Sequence, residues 1–320
     1  MTKLEEMIQR AGTIAVLGHV NPDGDCIGSC LAVYNYIKDQ YPQKQTAVYL
    51  EAADQKFSYL RGFEEIRSQW EKDAADLCVC VDCSDRERLG PFVSCLDQAA
   101  ESVCVDHHVT NEGYAGENII EPAASSTCEV LFYQFEEERI SEAAAECLYT
   151  GIIHDTGVFK YSNTTSRTME AAGRLMAKGI PFSDIIDDSF YRKTYLQSQI
   201  LGRALLESIS FLDKRCIFSV VRRKDMDFYG VDKNDLGGIV EQLRIIEGVE
   251  CAIFLYETAP HTYKVSMRSN RIVDVSRIAA YFGGGGHIRA AGCTMSGSIH
   301  DVINNLSLHI EKQLRESEHV

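Results

Sequence analysis

A chain of 320 residues that is 45% hydrophobic carries enough apolar surface to bury a large core, in two domains or one large one. Its net charge of −15 and pI near 5.1 exclude a surface built to track a long phosphate backbone, because such binding is driven by lysine and arginine contacts. No apolar run approaches the roughly 18 residues of a membrane span and the polar, amphipathic N-terminus does not resemble a signal peptide, so a cytoplasmic protein without membrane association is expected.

From Thr13 the chain alternates short apolar runs with longer amphipathic stretches, which is the pattern of a parallel α/β sheet. Strands are expected at Thr13–Leu17, Thr46–Leu50, Leu77–Val81 and Ser102–Val105. Helical spacing of apolar residues follows at Ser125–Glu138, Ser141–Ile153, Thr168–Lys178 and Tyr195–Glu207, several with Ser or Thr at the start. Strand-like segments return at Cys216–Val221, Glu250–Tyr256 and Thr262–Met267, around a helical Asp232–Ile246. This organisation predicts an N-terminal parallel-sheet domain with helices on both faces over residues 1–190, a connecting helix at 191–209, and a smaller α/β domain over 210–320.

The twelve cysteines are scattered through apolar contexts such as Leu77–Val81 and read as small, reduced core residues. Cys80 and Cys83 have the spacing of a redox or zinc motif, but no second pair of similar spacing completes a four-thiolate site.

The first informative segment runs from Gly18 to Ser29, after a strand and into a helix, and holds His19, Asp23 and Asp25 among Pro and Gly turn-formers. An acidic loop of this kind alone is an ambiguous signal. Two further strands end in the same chemistry, one at Asp82 and one at Asp106-His107-His108. The carboxyl ends of strands in an open parallel sheet line one edge, where ligands bind, so three such ends point to a metal site. Asp155 stops a helical run where a carboxylate opposes the helix dipole, and a cation is one compensation. The neighbouring His154 is read as a packing residue or as support for the ligands.

Together His19-x-x-x-Asp23-x-Asp25, Asp82, Asp106-His107-His108 and Asp155 resemble the N-terminal motifs of the DHH phosphoesterases. The segment Gly283–Gly292, with its four glycines followed by His287 and Arg289, is similar to the glycine-rich signature of the DHH-associated C-terminal domain. The resemblance implies one cation held by His19, Asp23 and Asp82, and another by Asp25, His107, Asp155 and a bridging Asp82. It also implies an active site in the cleft between the two domains. Asp106 would orient the histidine pair, and His108 would face the substrate phosphate, making Asp82, Asp106 and His108 the catalytic group. Manganese is the family's metal, with magnesium, cobalt or zinc compatible with the same donors.

Bare backbone at Gly284, Gly285 and Gly286 can approach phosphate oxygens, and Arg268, Ser269, His287 and Arg289 are the accompanying candidates for substrate binding. Within the family, a chain of this length is similar to nanoRNases that also act as pAp phosphatases. That similarity implies short oligonucleotides and small nucleotides such as pAp or pApA as ligands, with a homodimer as an option. A cyclic di-AMP or pApA phosphodiesterase is the main alternative. A RecJ-like exonuclease is disfavoured by the acidic charge, a manganese pyrophosphatase by the glycine-rich segment, and a non-catalytic nucleotide sensor by the complete motif set.

Overall fold

A computed structural model describes residues 1–70 and 75–318, and the chain divides into two compact units, Met1–Arg192 and the part from Lys193 onward. In the first unit the strands are β1 Thr13–Leu17, β2 Gln45–Tyr49, β3 Ile66–Arg67, β4 Leu77–Val81, β5 Glu101–Asp106 and β6 Glu117–Ile120. All five neighbouring pairs are parallel and the spatial order is β3-β2-β1-β4-β5-β6. The helices are α1 Lys3–Arg10, α2 Gly24–Gln40, α3 Val93–Gln98, α4 Thr127–Gln134, α5 Glu142–Asp155, α6 Ser166–Met176 and α7 Phe182–Ile186.

Both faces of this sheet are covered, which is why its central strands are apolar throughout rather than alternating. Ile14 and Val16 of β1 join Val79, Val81, Val103 and Val105 in the core beneath α1, α2, α4 and α5. Ala15 and Leu17 face the other way, with Cys78, Cys80 and Cys104, against Cys95 and Leu96 of α3. All twelve cysteines are free and buried. Cys80 and Cys83 both lie in this second core, and the Cys83 thiol donates to the Asp85 carbonyl at 3.0 Å.

The largest helix pairing in this unit is α2 with α5, and it depends on bare backbone at the crossing. A Cβ on Gly151 would lie 2.2 Å from Cys128 Sγ and 2.5 Å from Asp25 Oδ1, and one on Gly28 would meet the Cys147 carbonyl at 2.6 Å. Close approach here brings the start of α2 to the end of α5, and with them Asp25 and Asp155.

The second unit contains α8 Tyr195–Leu206, β7 Ile209–Phe211, β8 Cys216–Val221, α9 Arg223–Tyr229, α10 Ile239–Arg244, β9 Cys251–Ala259 and β10 Thr262–Ser269. It ends with α11 Val275–Tyr281, β11 Gly285–His287, β12 Ala290–Ser296 and α12 Ile299–Glu318. The strand order is β11-β12-β10-β9-β8-β7, with β8 and β9 parallel and the other pairs antiparallel. One face packs under α11 and α12 through Ile253, Val265, Met267, Ile278, Leu306 and Ile310. The other packs Ile217, Val221, Ala252 and Phe254 against Ile200 of α8, Met226 of α9 and Leu243 of α10.

The helix read from the sequence as a connector, α8, thus contributes to the core of this second unit. The single helix expected at Asp232–Ile246 is two pieces, a 3₁₀ turn at Lys233–Leu236 and α10, interrupted at Gly238, whose φ of 85° is left-handed. No described helix is long and apolar enough to cross a membrane.

Candidate metal centre

The strand order of the first sheet reverses direction of growth between β1 and β4, and that switch point opens a crevice at the carboxyl ends of the strands. His19 follows β1 and Asp82 follows β4, so the two flank the crevice directly. Asp82 adopts a left-handed φ of 54°, a conformation aspartate tolerates better than most residues, and its amide donates to the Val105 carbonyl at 3.1 Å. This turn leaves the carboxylate central to every other donor.

Asp23 caps α2, accepting the amides of Asp25 and Cys26 at 3.1 Å each. Asp25, in the first turn of α2, is fully buried and accepts the amides of Thr127 at 2.7 Å and Cys128 at 3.1 Å. Those are free donors at the N-terminus of α4, where a carboxylate also meets the positive end of the helix dipole. The Thr127 hydroxyl donates to Asp82 Oδ1 at 3.1 Å, so one residue holds two of the acidic groups.

Around His107 the arrangement is compact: its Nε2 lies 3.1 Å from Asp155 Oδ2, 3.7 Å from Asp82 Oδ1 and 4.0 Å from Asp25 Oδ2. His19 Nδ1 donates to the Val20 carbonyl at 2.8 Å, which directs Nε2 toward Asp82 at 3.4 Å and Asp23 at 3.8 Å. Donor atoms of Asp25, His107 and Asp155 lie within 4.8 Å of one another, as do those of Asp82, His107 and His108, and those of His19, Cys26 and Asp82. Asp82 joins the second and third of these groups, and His107 joins the first and second. Asp23 stands at the rim, beside His19.

Asp106 is fully buried and serves the pair that follows it. Its Oδ1 accepts the His107 amide and pairs with His108 Nδ1, both at 2.8 Å, and its Oδ2 accepts Asn111 Nδ2 at 2.7 Å. His108 Nε2 makes no hydrogen bond among the described residues and faces outward from a ring that is partly exposed. His154 is a packing residue: it sits edge-on to Phe57 and Phe190, with Nε2 3.1 Å from Ser189 Oγ. Burial, helped by Lys56, lowers its pKa to about 4.

The electrostatics suit divalent cations. Burial and then the Asp82 and Asp155 carboxylates push Asp25 well above the usual carboxylate range. Asp155 also rises, through burial and Asp82, against the pull of His107. Although burial disfavours its cation, His107 is held up at about 10 by Asp155, Asp25 and Asp82. Burial likewise opposes protonation of His19, but Asp23 and Asp82 keep its pKa raised. Carboxylates crowded this closely repel one another, and a dication bound by hard oxygen and imidazole donors relieves that repulsion. The residues therefore fit a pair of divalent cations.

The expected substrate residues lie in the second unit. Register aligns Arg268 of β10, Ala290 of β12 and His287 of β11 in one row, with Ser266, Gly292 and Gly285 in the next row on the same face. The floor between Arg268 and His287 is therefore almost free of side chains. Rather than a flexible connection, Gly285 and Gly286 form an edge strand, whose alternate amides point away from the sheet. A Cβ on Gly286 would strike the Ala290 carbonyl at 2.5 Å, so this pairing requires glycine.

Arg268 Nε is paired with Glu241 at 2.7 Å, which orients the guanidinium. Ser269 is 3% exposed and points to the opposite face from Arg268, because neighbours along a strand alternate. The exposed Arg289 donates to the carbonyls of Val273, at 3.0 Å, and Arg271, across a turn that Glu250 holds from the other side through the amides of Arg271, Ile272 and Val273.

Sequence reading missed Thr127, Asn111 and Cys26. Ser125-Ser126-Thr127 is legible as a helix start, but only the fold brings that start to Asp25, 102 residues away.

Fold and site together define an α/β protein with a cluster of carboxylate and imidazole donors that could hold metal at a sheet switch point. The chain belongs to the DHH family: residues 13–152 match the DHH family, N-terminal domain, and residues 213–316 match the DHHA1 domain. It is 24% identical to the bifunctional oligoribonuclease and PAP phosphatase NrnA of Bacillus subtilis, over 92% of this chain and 93% of that protein. It is 27% identical to the cyclic-di-AMP phosphodiesterase GdpP of Geobacillus thermodenitrificans, over 99% of this chain but 48% of that protein. A crystal structure of an exopolyphosphatase-related protein from Bacteroides fragilis superposes with a TM-score of 0.86 at 27% identity, covering 97% of this chain and 94% of the other.

Proposed function

We propose that this chain is a two-cation phosphoesterase of short nucleotides, degrading nano-RNA to nucleoside 5′-monophosphates and converting pAp to AMP. The observation that carries the reading is the interlocked donor set in which Asp82 stands 3.4 Å from His19 and 3.7 Å from His107, reaching two neighbouring donor groups at once. Similarity to an oligoribonuclease and PAP phosphatase across nearly the full length of both chains supports the substrate class.

His19, Asp23 and Asp82 would hold one cation, and Asp25, His107, Asp155 and Asp82 the other. Bound there, a cation pair supplies hydroxide near neutral pH and neutralises the phosphoryl oxygens, and manganese is the proposed metal. The chain's own residues do the rest. Thr127 and the start of α4 fix Asp25 and Asp82 in place. Asp106 holds His108 by Nδ1, which presents Nε2–H to the leaving oxygen as a general acid. Arg268, held by Glu241, and the outward amides of β11 would grip a terminal phosphate, with His287 beside them.

Cyclic di-AMP or pApA cleavage is the second reading, favoured by the similarity to a cyclic-di-AMP phosphodiesterase over the whole of this chain. One purified preparation with manganese, offered pAp, di- to pentanucleotide RNA, a long RNA, cyclic di-AMP, pApA and pyrophosphate, decides among these. Fastest turnover is expected on pAp and the short RNAs; preference for the long RNA or for pyrophosphate overturns the proposal.

A further inference from the structure

Cys26 occupies the first turn of α2, one residue after Asp25, and is fully buried. Its Sγ accepts the His19 backbone N–H at 3.2 Å, which ties the sulfur to the residue whose ring faces Asp82. The sulfur, a His19 ring nitrogen and an Asp82 carboxylate oxygen all lie within 4.8 Å of one another. Among the described residues, Cys26 is the one cysteine that groups with histidine and aspartate in this way. Asp23 fixes the geometry by capping α2 at the amides of Asp25 and Cys26, so the helix start carries the sulfur under the imidazole while Asp23 sits at the outer rim.

We propose that Cys26 is a sulfur donor to the cation at His19 and Asp82, so that this position takes borderline-soft ions such as zinc and cobalt, in competition with manganese, more readily than the position at Asp25, His107 and Asp155 does. The inference rests on the two-cation reading given above. Burial, helped by Cys30, holds the proton on the Cys26 sulfur, so a cation bound here would have to displace that proton, and the sulfur would keep the His19 amide as a hydrogen-bond donor. Thiolate is the softest donor available to a protein, so a single sulfur is enough to separate the preferences of two positions otherwise built from carboxylate and imidazole. The two cation positions then differ in kind: the one at Asp25, His107 and Asp155 is all hard oxygen and imidazole, and the one at His19 carries sulfur.

The test is a cobalt titration of the full-length, metal-free protein followed by absorption spectroscopy. Visible ligand-field bands report cobalt on the histidine and aspartate donors, whether or not sulfur is bound. A sulfur-to-cobalt charge-transfer band in the near ultraviolet reports the thiolate alone. The wild-type protein is expected to show both sets of bands. Cys26→Ser, with Cys26→Ala as a second variant, is expected to keep the ligand-field bands and lose the charge-transfer band. The same variants should lower the ratio of zinc to manganese affinity by at least about tenfold. Ligand-field bands without charge transfer in the wild type, or a charge-transfer band that survives in Cys26→Ser, overturns the role of Cys26 and leaves the two-cation reading standing. Failure of the wild-type protein to take up cobalt at all removes both.

Discussion

Asp82 stands between the donors of both proposed cations, and its left-handed backbone and its hydrogen bond from Thr127 are local costs and constraints that a merely structural aspartate would not need. Asp82→Asn keeps the size and removes the charge. It is expected to abolish manganese-dependent phosphate release and to lower the metal content of the purified protein, measured by elemental analysis. His108→Ala should behave differently, because His108 is engaged by Asp106 and is absent from the proposed coordination sets. Turnover should fall by about 10²–10⁴ with metal content unchanged. Thr127→Val keeps the backbone amide that holds Asp25 and deletes only the hydroxyl on Asp82, so metal affinity should weaken by about 10–100-fold, with Thr127→Ser restoring it. His154 gives a pH signature of its own. Its pKa is about 4 in the fold against 6.5 for an unperturbed histidine, so the unfolded chain binds the extra proton between those values. The contribution is complete above the unfolded pKa and is lost as pH falls toward the folded one. Between about pH 7 and pH 5 the wild type should lose about 1–2 kcal/mol more stability than His154→Gln, read from denaturant unfolding at each pH.

At the scale of elements, the site is assembled by two devices: strand ends at a switch point, and helix ends drawn together by glycine. The alternation of apolar runs and helical spacing places β1, β4 and β5 almost to the residue, since strands buried on both faces leave a continuous apolar signal. The short edge strands β3, β6, β7 and β11 carry no such signal, because little of their length is buried and their pairing is set by the strand beside them. The Gly28 and Gly151 crossing of α2 and α5 is equally invisible in sequence, where a glycine inside a helical pattern looks like a weakness. Gly151→Ala tests it. The added methyl overlaps Cys128 Sγ and Asp25 Oδ1, so stability should drop by about 1–3 kcal/mol and metal affinity with it, measured by thermal unfolding and by manganese titration.

At the scale of the molecule, an acidic chain with net charge −15 has little means of neutralising a long phosphate backbone, and the phosphate-binding elements proposed for it are local: Arg268 and the outward edge of β11. The salt dependence of kcat/KM for pAp should therefore be shallow, with a log–log slope no steeper than about −2, and a slope near that of a duplex-tracking protein would contradict a short-nucleotide enzyme. The α/β class, the main strands along the chain and the acidic and histidine motifs at their ends were legible in the amino-acid sequence, because apolar periodicity and short-range spacing are written locally in the chain. Chain-local patterns do not show that Ser269 is buried on the face opposite Arg268, nor that Arg289 reaches the carbonyls of Arg271 and Val273, since both depend on how β10, β12 and the turn at 271–273 pack. Tertiary structure alone decided that the start of α4 holds Asp25, that Thr127 reaches Asp82, and that Cys26 lies with His19 against Asp82. Those contacts depend on helices and strands that meet only when the sheet is wound and its two faces are packed, and chain-local patterns carry no record of that meeting.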